Sequence, residues 1–288
     1  MRFSISTAFL PVDQLAPIAV AADQLGYHAL AVPDHVVDIE ELATPYPYTP
    51  DGKRRWDFSA PWPDPWVLIG HLAAVTSRLE FFTSVYVSPL RSPYSVAKAV
   101  GTAAVLSNNR VALGIGVGWC REEFELLEQE FRTRGKRTDE GLALIKALWQ
   151  PGWTEFEGDF YTAPRLVMEP TPSVDIPIYV GGLSEVAYAR AARHQGWMGD
   201  IYTIAEATGY AARLAEIRAE IGATGDFKVI TALSDAFLPE HFVAAEEGGV
   251  TDVWTMPWAY YHGLDASIEQ KIDGMERFHA DVIAPLGS

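Results

Sequence analysis

The chain has 288 residues, a formal net charge of -16 and 49% hydrophobic residues. That acidity, with no basic stripe anywhere, argues against a nucleic-acid or membrane-surface partner, and the apolar content excludes a disordered chain. The single cysteine, Cys120, cannot form an internal disulfide; with no signal-peptide pattern and no run of about 18 apolar residues, a cytoplasmic location is expected.

In chain order, Phe3 to Phe9 forms a short β-prone run, and Val12 to Leu25 carries helical periodicity that Gly26 closes. Ala29 to Pro33 predicts a second strand ending at Asp34-His35. From Val36 to Pro65 periodicity disappears and prolines recur. The aromatics of this stretch and its end (Tyr46, Tyr48, Trp56, Phe58, Trp62, Trp66) predict a packed lid rather than a linker. Trp66 to Thr76 reads as a helix, Leu79 to Val87 as a strand and Tyr94 to Leu106 as a helix. Val111 to Val117 is apolar throughout, as expected of a strand covered on both faces. Its neighbours Gly114, Gly116 and Gly118 alternate. Either they clear one face for a flat ligand, or they are small only for packing.

Arg121 to Phe131 and Lys136 to Trp149 read as helices, with Glu122, Glu123 and Glu125 suited to the positive end of a helix as solvated acids. Trp153 to Pro177 predicts a small strand-rich excursion, a hairpin turning at Gly158-Asp159. Ile176 to Val180 is a strand entering Gly181-Gly182, followed by a helix over Ser184 to His194. A short strand begins near Gly196. Glu206 to Ile221 and His241 to Glu247 are helical, Phe227 to Phe237 and Thr251 to Met256 extended, and Ala266 to Val282 a closing helix. Eight strand–helix units in this order predict an α/β fold, a closed (β/α)8 TIM barrel forming a single domain over residues 1–288. Two insertions interrupt it: the long loop after the second strand and the excursion before the fifth.

In such a barrel the chemistry sits at the C-terminal strand ends. These are Asp34-His35, Ser84-Val85, Gly116 to Gly118, Gly181-Gly182 and Trp258. Trp254, Trp258, Tyr260, Tyr261 and His262 could line an apolar pocket together with the Tyr46 to Trp66 lid. No His/Asp/Cys spacing points to a metal, and Cys120 reads as structural.

Several segments carry a resemblance: Val32-Pro33-Asp34-His35, Thr83-Ser84-Val85, Leu90-Arg91-Ser92-Pro93, Leu106-Ser107-Asn108-Asn109-Arg110, Gly114-Ile115-Gly116-Val117-Gly118-Trp119, Arg134 to Gly141, Glu157 to Tyr161 and Pro177 to Gly182. In this order they resemble the bacterial luciferase-like superfamily, specifically its branch of oxidoreductases dependent on the deazaflavin coenzyme F420.

The resemblance implies a deazaflavin or flavin ring in the barrel mouth. It implies that Asp34 and His35 lie beside the ring, with His35 as the catalytic group handling a proton. It further implies a cis peptide at Ser84-Val85 backing the ring, and contacts from Gly116, Val117, Gly118 and Trp119. Val180, Gly181, Gly182 and Leu183 correspond to the family's phosphate loop, where backbone N–H groups at a helix start can receive an anion. Trp119 stands where sugar-phosphate dehydrogenases of the family carry a catalytic glutamate, so it is expected to shape a substrate wall with Trp56, Trp62 and Trp258 or to pack on the ring; Glu122 and Glu123 follow it, either as acids of the site or as solvated acids at a helix start. The implied activity is hydride transfer between coenzyme F420 and an organic small molecule. Alternatives are a two-component monooxygenase using reduced FMN, oxygen and a flavin reductase, a non-catalytic flavin or deazaflavin binder, and, remotely, an unrelated barrel lyase or isomerase. A homodimer is expected from the same resemblance.

Overall fold

The computed structural model describes residues 1–287. In chain order the elements are β1 (Arg2–Ser6), α1 (Val12–Leu25), β2 (Ala29–Val32), α2 (Pro65–Ala74), β3 (Glu80–Thr83), β4 (Tyr86–Val87), α3 (Pro93–Leu106) and β5 (Val111–Gly116). There follow α4 (Arg121–Leu126), α5 (Arg134–Leu148), β6 (Thr154–Glu157), β7 (Thr162–Leu166), β8 (Ile178–Gly181), α6 (Glu185–Ala191) and β9 (Gly196–Tyr202). The chain ends with α7 (Ile204–Glu220), β10 (Lys228–Leu233), α8 (Pro239–Glu247), β11 (Asp252–Thr255) and α9 (Ile268–Phe278).

The strands are ordered β3-β2-β1-β11-β10-β9-β8-β5-β4, and β3 also pairs with β5, so the parallel sheet closes on itself. Counting β3 and β4 as one interrupted strand, this is the expected eight-stranded barrel. Alternation along each strand divides the core. Leu30 and Val32 of β2 join the large cluster shared with the helices, whereas Ala29 and Ala31 join Phe82, Ala112, Met198 and Ile230, strand residues that fill the interior. The excursion is an antiparallel pair, β6 with β7. Glu140 of α5 holds its tip by accepting from the N–H groups of Asp159, Phe160 and Tyr161 at 2.9, 2.8 and 2.7 Å. Among the described residues no helix is long and apolar enough to cross a membrane.

Among the element boundaries that differ from expectation, three involve unusual local backbone. The strand predicted over Leu79 to Val87 is split into β3 and β4, and the Ser84–Val85 peptide bond between them is cis, as the resemblance implied. The helix predicted to reach Phe131 stops at Leu126, as Glu128 takes a positive φ of 56° that a helix cannot contain. The first strand stops at Ser6, since Phe9 has a φ of 64°.

The glycine alternation in β5 serves its neighbour. A Cβ on Gly114 would lie 1.8 Å from the Thr83 carbonyl oxygen, and one on Gly116 would lie 2.6 Å from Val85 Cγ2. Thr83 Oγ1 donates to the Gly114 carbonyl at 2.7 Å and accepts from its N–H at 3.0 Å. The missing side chains let the broken β3–β4 segment press against β5. That is the packing alternative, and it shapes the mouth all the same.

Candidate active site

The C-terminal strand ends and the lid enclose a cavity of about 1480 Å³. From the strand ends it is lined by Asp34, His35, Ser84, Val85, Gly116, Val117, Gly118, Trp119, Gly181, Gly182 and Leu183; Trp56 and Trp62 come from the lid, and Trp258 from beyond β11. One residue expected there is elsewhere: Val180 is fully buried in the core between barrel and helices, because β-strand alternation turns it away from Gly181. Trp258 borders the cavity yet is completely buried, so it stands behind the wall. Trp254 and Tyr260 border the cavity as anticipated, but Tyr261 and His262 do not: their side chains pair with Asp281 (2.9 Å) and Asp273 (2.5 Å). In the lid, Phe58 is 59% exposed and Trp66 packs on Tyr86, so neither reaches the cavity.

Val85 is at the centre of the mouth. A Cβ on Gly181 would meet its Cγ1 at 2.8 Å, just as one on Gly116 would meet its Cγ2, so the two glycines form a slot for the Val85 side chain. Around His35 the lid supplies an aromatic box. Its ring centroid lies 4.8 Å from that of Trp62, 5.4 Å from Trp56 and 6.0 Å from Trp119. Tyr46 closes the box against Trp56 and Trp119 at 5.3 and 5.2 Å. Arg55 fastens this lid to the barrel, donating to both carboxylate oxygens of Asp200 on β9 at 2.8 and 2.7 Å and to the Tyr48 carbonyl at 2.7 Å.

Polar groups beneath the mouth are arranged in buried pairs. Asp34 accepts from both terminal nitrogens of Arg91 (2.5 and 2.7 Å) and from the Val87 N–H (2.9 Å). Burial pushes its carboxyl pKa up, and the Arg91 guanidinium opposes this by favouring the carboxylate. Asp34 thus holds the β4 turn against β2, and its oxygens are committed to protein partners.

Glu123 is not a solvated acid but 2% exposed. Its carboxylate lies 3.2 Å from His35 Nδ1 and accepts from the Val36 N–H at 2.7 Å. Although burial favours its neutral form, His35 and the amides hold its pKa below the ordinary value. The adjacent Glu122 accepts from the N–H groups of Ala43 and Thr44 at 2.7 and 2.9 Å. Sequence reasoning missed both roles, and only the Glu-Glu pair following a cavity loop hinted at them. Cys120 is buried, and burial lifts its thiol to about 11, which disfavours the thiolate.

Whether a flat conjugated ring fits can be judged from the walls. The cavity is walled by apolar and aromatic groups, with the side-chain-free Gly116, Gly181 and Gly182 at its mouth, which suits a flat body carrying a few polar atoms. An isoalloxazine-type ring, with its carbonyls and ring nitrogens, meets that description, and the residues fit.

The family profile described as luciferase-like monooxygenase matches residues 4–247. An uncharacterized protein of Mycobacterium tuberculosis is 38% identical over 288 residues, 99% of both chains. An F420-dependent glucose-6-phosphate dehydrogenase of Amycolatopsis mediterranei is 30% identical over 67% of this chain and 53% of its own. Among solved structures, monooxygenase RslO1 of Streptomyces bottropensis superposes with a TM-score of 0.77 at 16% identity over 99% of both chains. The coenzyme F420 dependent tetrahydromethanopterin reductase of Methanopyrus kandleri gives 0.76 at 12% identity, again over 99% of both. The FMN complex of a Pseudomonas putida 3,6-diketocamphane monooxygenase gives 0.61 at 15% identity over 81% of this chain and 66% of that one. These structural likenesses carry the fold, and the similar proteins include users of both cofactors. By the profile match over most of its length, the chain belongs to the luciferase-like monooxygenase family.

Proposed function

We propose that the protein is an oxidoreductase that transfers a hydride between coenzyme F420 and an organic small-molecule substrate. The observation that carries this reading is the mouth itself: one cavity is lined both by Val85, held in a two-glycine slot, and by His35 among three indoles. The F420-dependent relative that matches two thirds of the chain supports the choice of cofactor.

When bound, the deazaflavin supplies the hydride donor or acceptor. Val85, Gly116 and Gly181 would hold the ring, and Gly182 and Leu183 would face its phosphate. Trp56, Trp62 and Trp119 would exclude water and orient the substrate. His35 would hold or release a proton beside the reacting centre. Trp119, in place of an acidic side chain, and the indole walls suit an apolar substrate better than a sugar phosphate.

The test is a side-by-side fluorescence-quench titration with coenzyme F420 and FMN. Micromolar F420 binding with negligible FMN binding supports the reading and directs a substrate screen by cofactor absorbance. Preference for FMN would overturn it in favour of an oxygen-dependent monooxygenase served by a reductase. Binding of neither would remove it altogether.

A further inference from the structure

We infer that Glu123 is a positioning residue that fixes the proton of His35 on Nδ1, leaving Nε2 as the ring's open nitrogen at the cavity. The inference rests on the proposed role of His35, but it concerns the histidine alone and holds whichever cofactor binds.

The two glutamate oxygens divide their work. Oε1 accepts from the N–H groups of Val36 and Val37 at 2.7 and 3.4 Å, and Oε2 lies 3.2 Å from His35 Nδ1. The two amides favour the ionised form of Glu123, and the remaining oxygen of an ionised carboxylate can only accept. His35 Nδ1 can donate to it only by carrying the proton. The indoles of Trp56, Trp62 and Trp119 pack around the ring, tilted or edge-on to it. Rotation of the imidazole is therefore checked by the indoles, and the identity of its protonated nitrogen is set by Glu123. Because His35 leaves β2 and Glu123 starts α4, the contact also ties the lid's first residues to the β5 loop that carries Trp119.

The test is nitrogen-15 NMR of the histidine rings in the full-length protein, with the His35 signals identified by their absence in His35→Gln. At pH 8 the native protein is expected to show a protonated, pyrrole-type Nδ1; a bare, pyridine-type Nδ1 would overturn the inference. In Glu123→Gln the amide oxygen can keep the Val36 N–H while the amide NH2 turns to His35 and donates. The two ring signals should then exchange, with Nδ1 bare and Nε2 protonated. An unchanged Nδ1 proton in folded Glu123→Gln would equally overturn it, and should that variant not fold, the native spectrum decides. Cofactor titrations on the same samples separate the two readings: failure to bind F420 or FMN removes the proposed function without moving the proton.

Discussion

Arg91 grips Asp34 through both terminal guanidinium nitrogens, with the Asp34 side chain wholly buried. The two residues are 57 positions apart, and their pairing joins the end of β2 to the turn after β4. Removing one partner of a buried pair strands the other charge. Arg91→Ala is therefore expected to destabilise the fold by about 3–5 kcal/mol. Urea unfolding would measure it, and a loss below about 1 kcal/mol would show that the pair is not a structural tie.

Gly116 and Val85 are complementary in shape, so a methyl on one should be cancelled by trimming the other. Gly116→Ala is expected to cost about 1–3 kcal/mol and to weaken ring binding, because the new Cβ meets Val85 Cγ2 at 2.6 Å. The double variant Gly116→Ala/Val85→Ala should recover most of the stability. Thermal melts of the single and double variants check this, and simple additivity would contradict the slot.

The Arg55–Asp200 pair fastens the lid but is partly open to solvent. Arg55→Ala should change global stability by less than about 1 kcal/mol. Lid residues 36–65 should nevertheless become easier to cleave in limited proteolysis, and Trp56 and Trp62 easier to quench with acrylamide. An unchanged cleavage pattern would mean that the aromatic box holds the lid unaided.

Glu122 gives the lid a dependence on acid. Burial raises its pKa, but its own amide and those of Thr44 and Ala43 bring it from 4.5 down to about 2. A carboxyl depressed on folding stabilises the native state above its unfolded value, here 4.5, and that contribution is lost as pH falls towards 2. The urea midpoint of the native protein should therefore fall more steeply below about pH 4.5 than that of Glu122→Gln. Parallel curves for the two proteins would remove the clamp from the account.

Much of this was legible in the sequence because it is local. Continuous apolar runs such as Val111 to Val117 mark strands covered on both faces, and their spacing with helices dictates a closed barrel. Once the barrel is granted, strand ends as distant as His35, Val85, Gly116 and Gly181 must meet at one rim. The proline- and aromatic-rich stretch after β2 likewise announced a packed lid.

The tertiary structure decided what each of these residues touches. Glu123 and His35 are 88 residues apart, and nothing in the local pattern distinguishes a helix-start glutamate in water from one buried against an imidazole. The alternating glycines were compatible with a ligand face or a packing face, and only the register of β4 against β5 placed Val85 over Gly116. Periodicity records which side of an element is apolar. Which charge finds which partner depends on strand register and loop path, and these are set by the packing of the whole barrel.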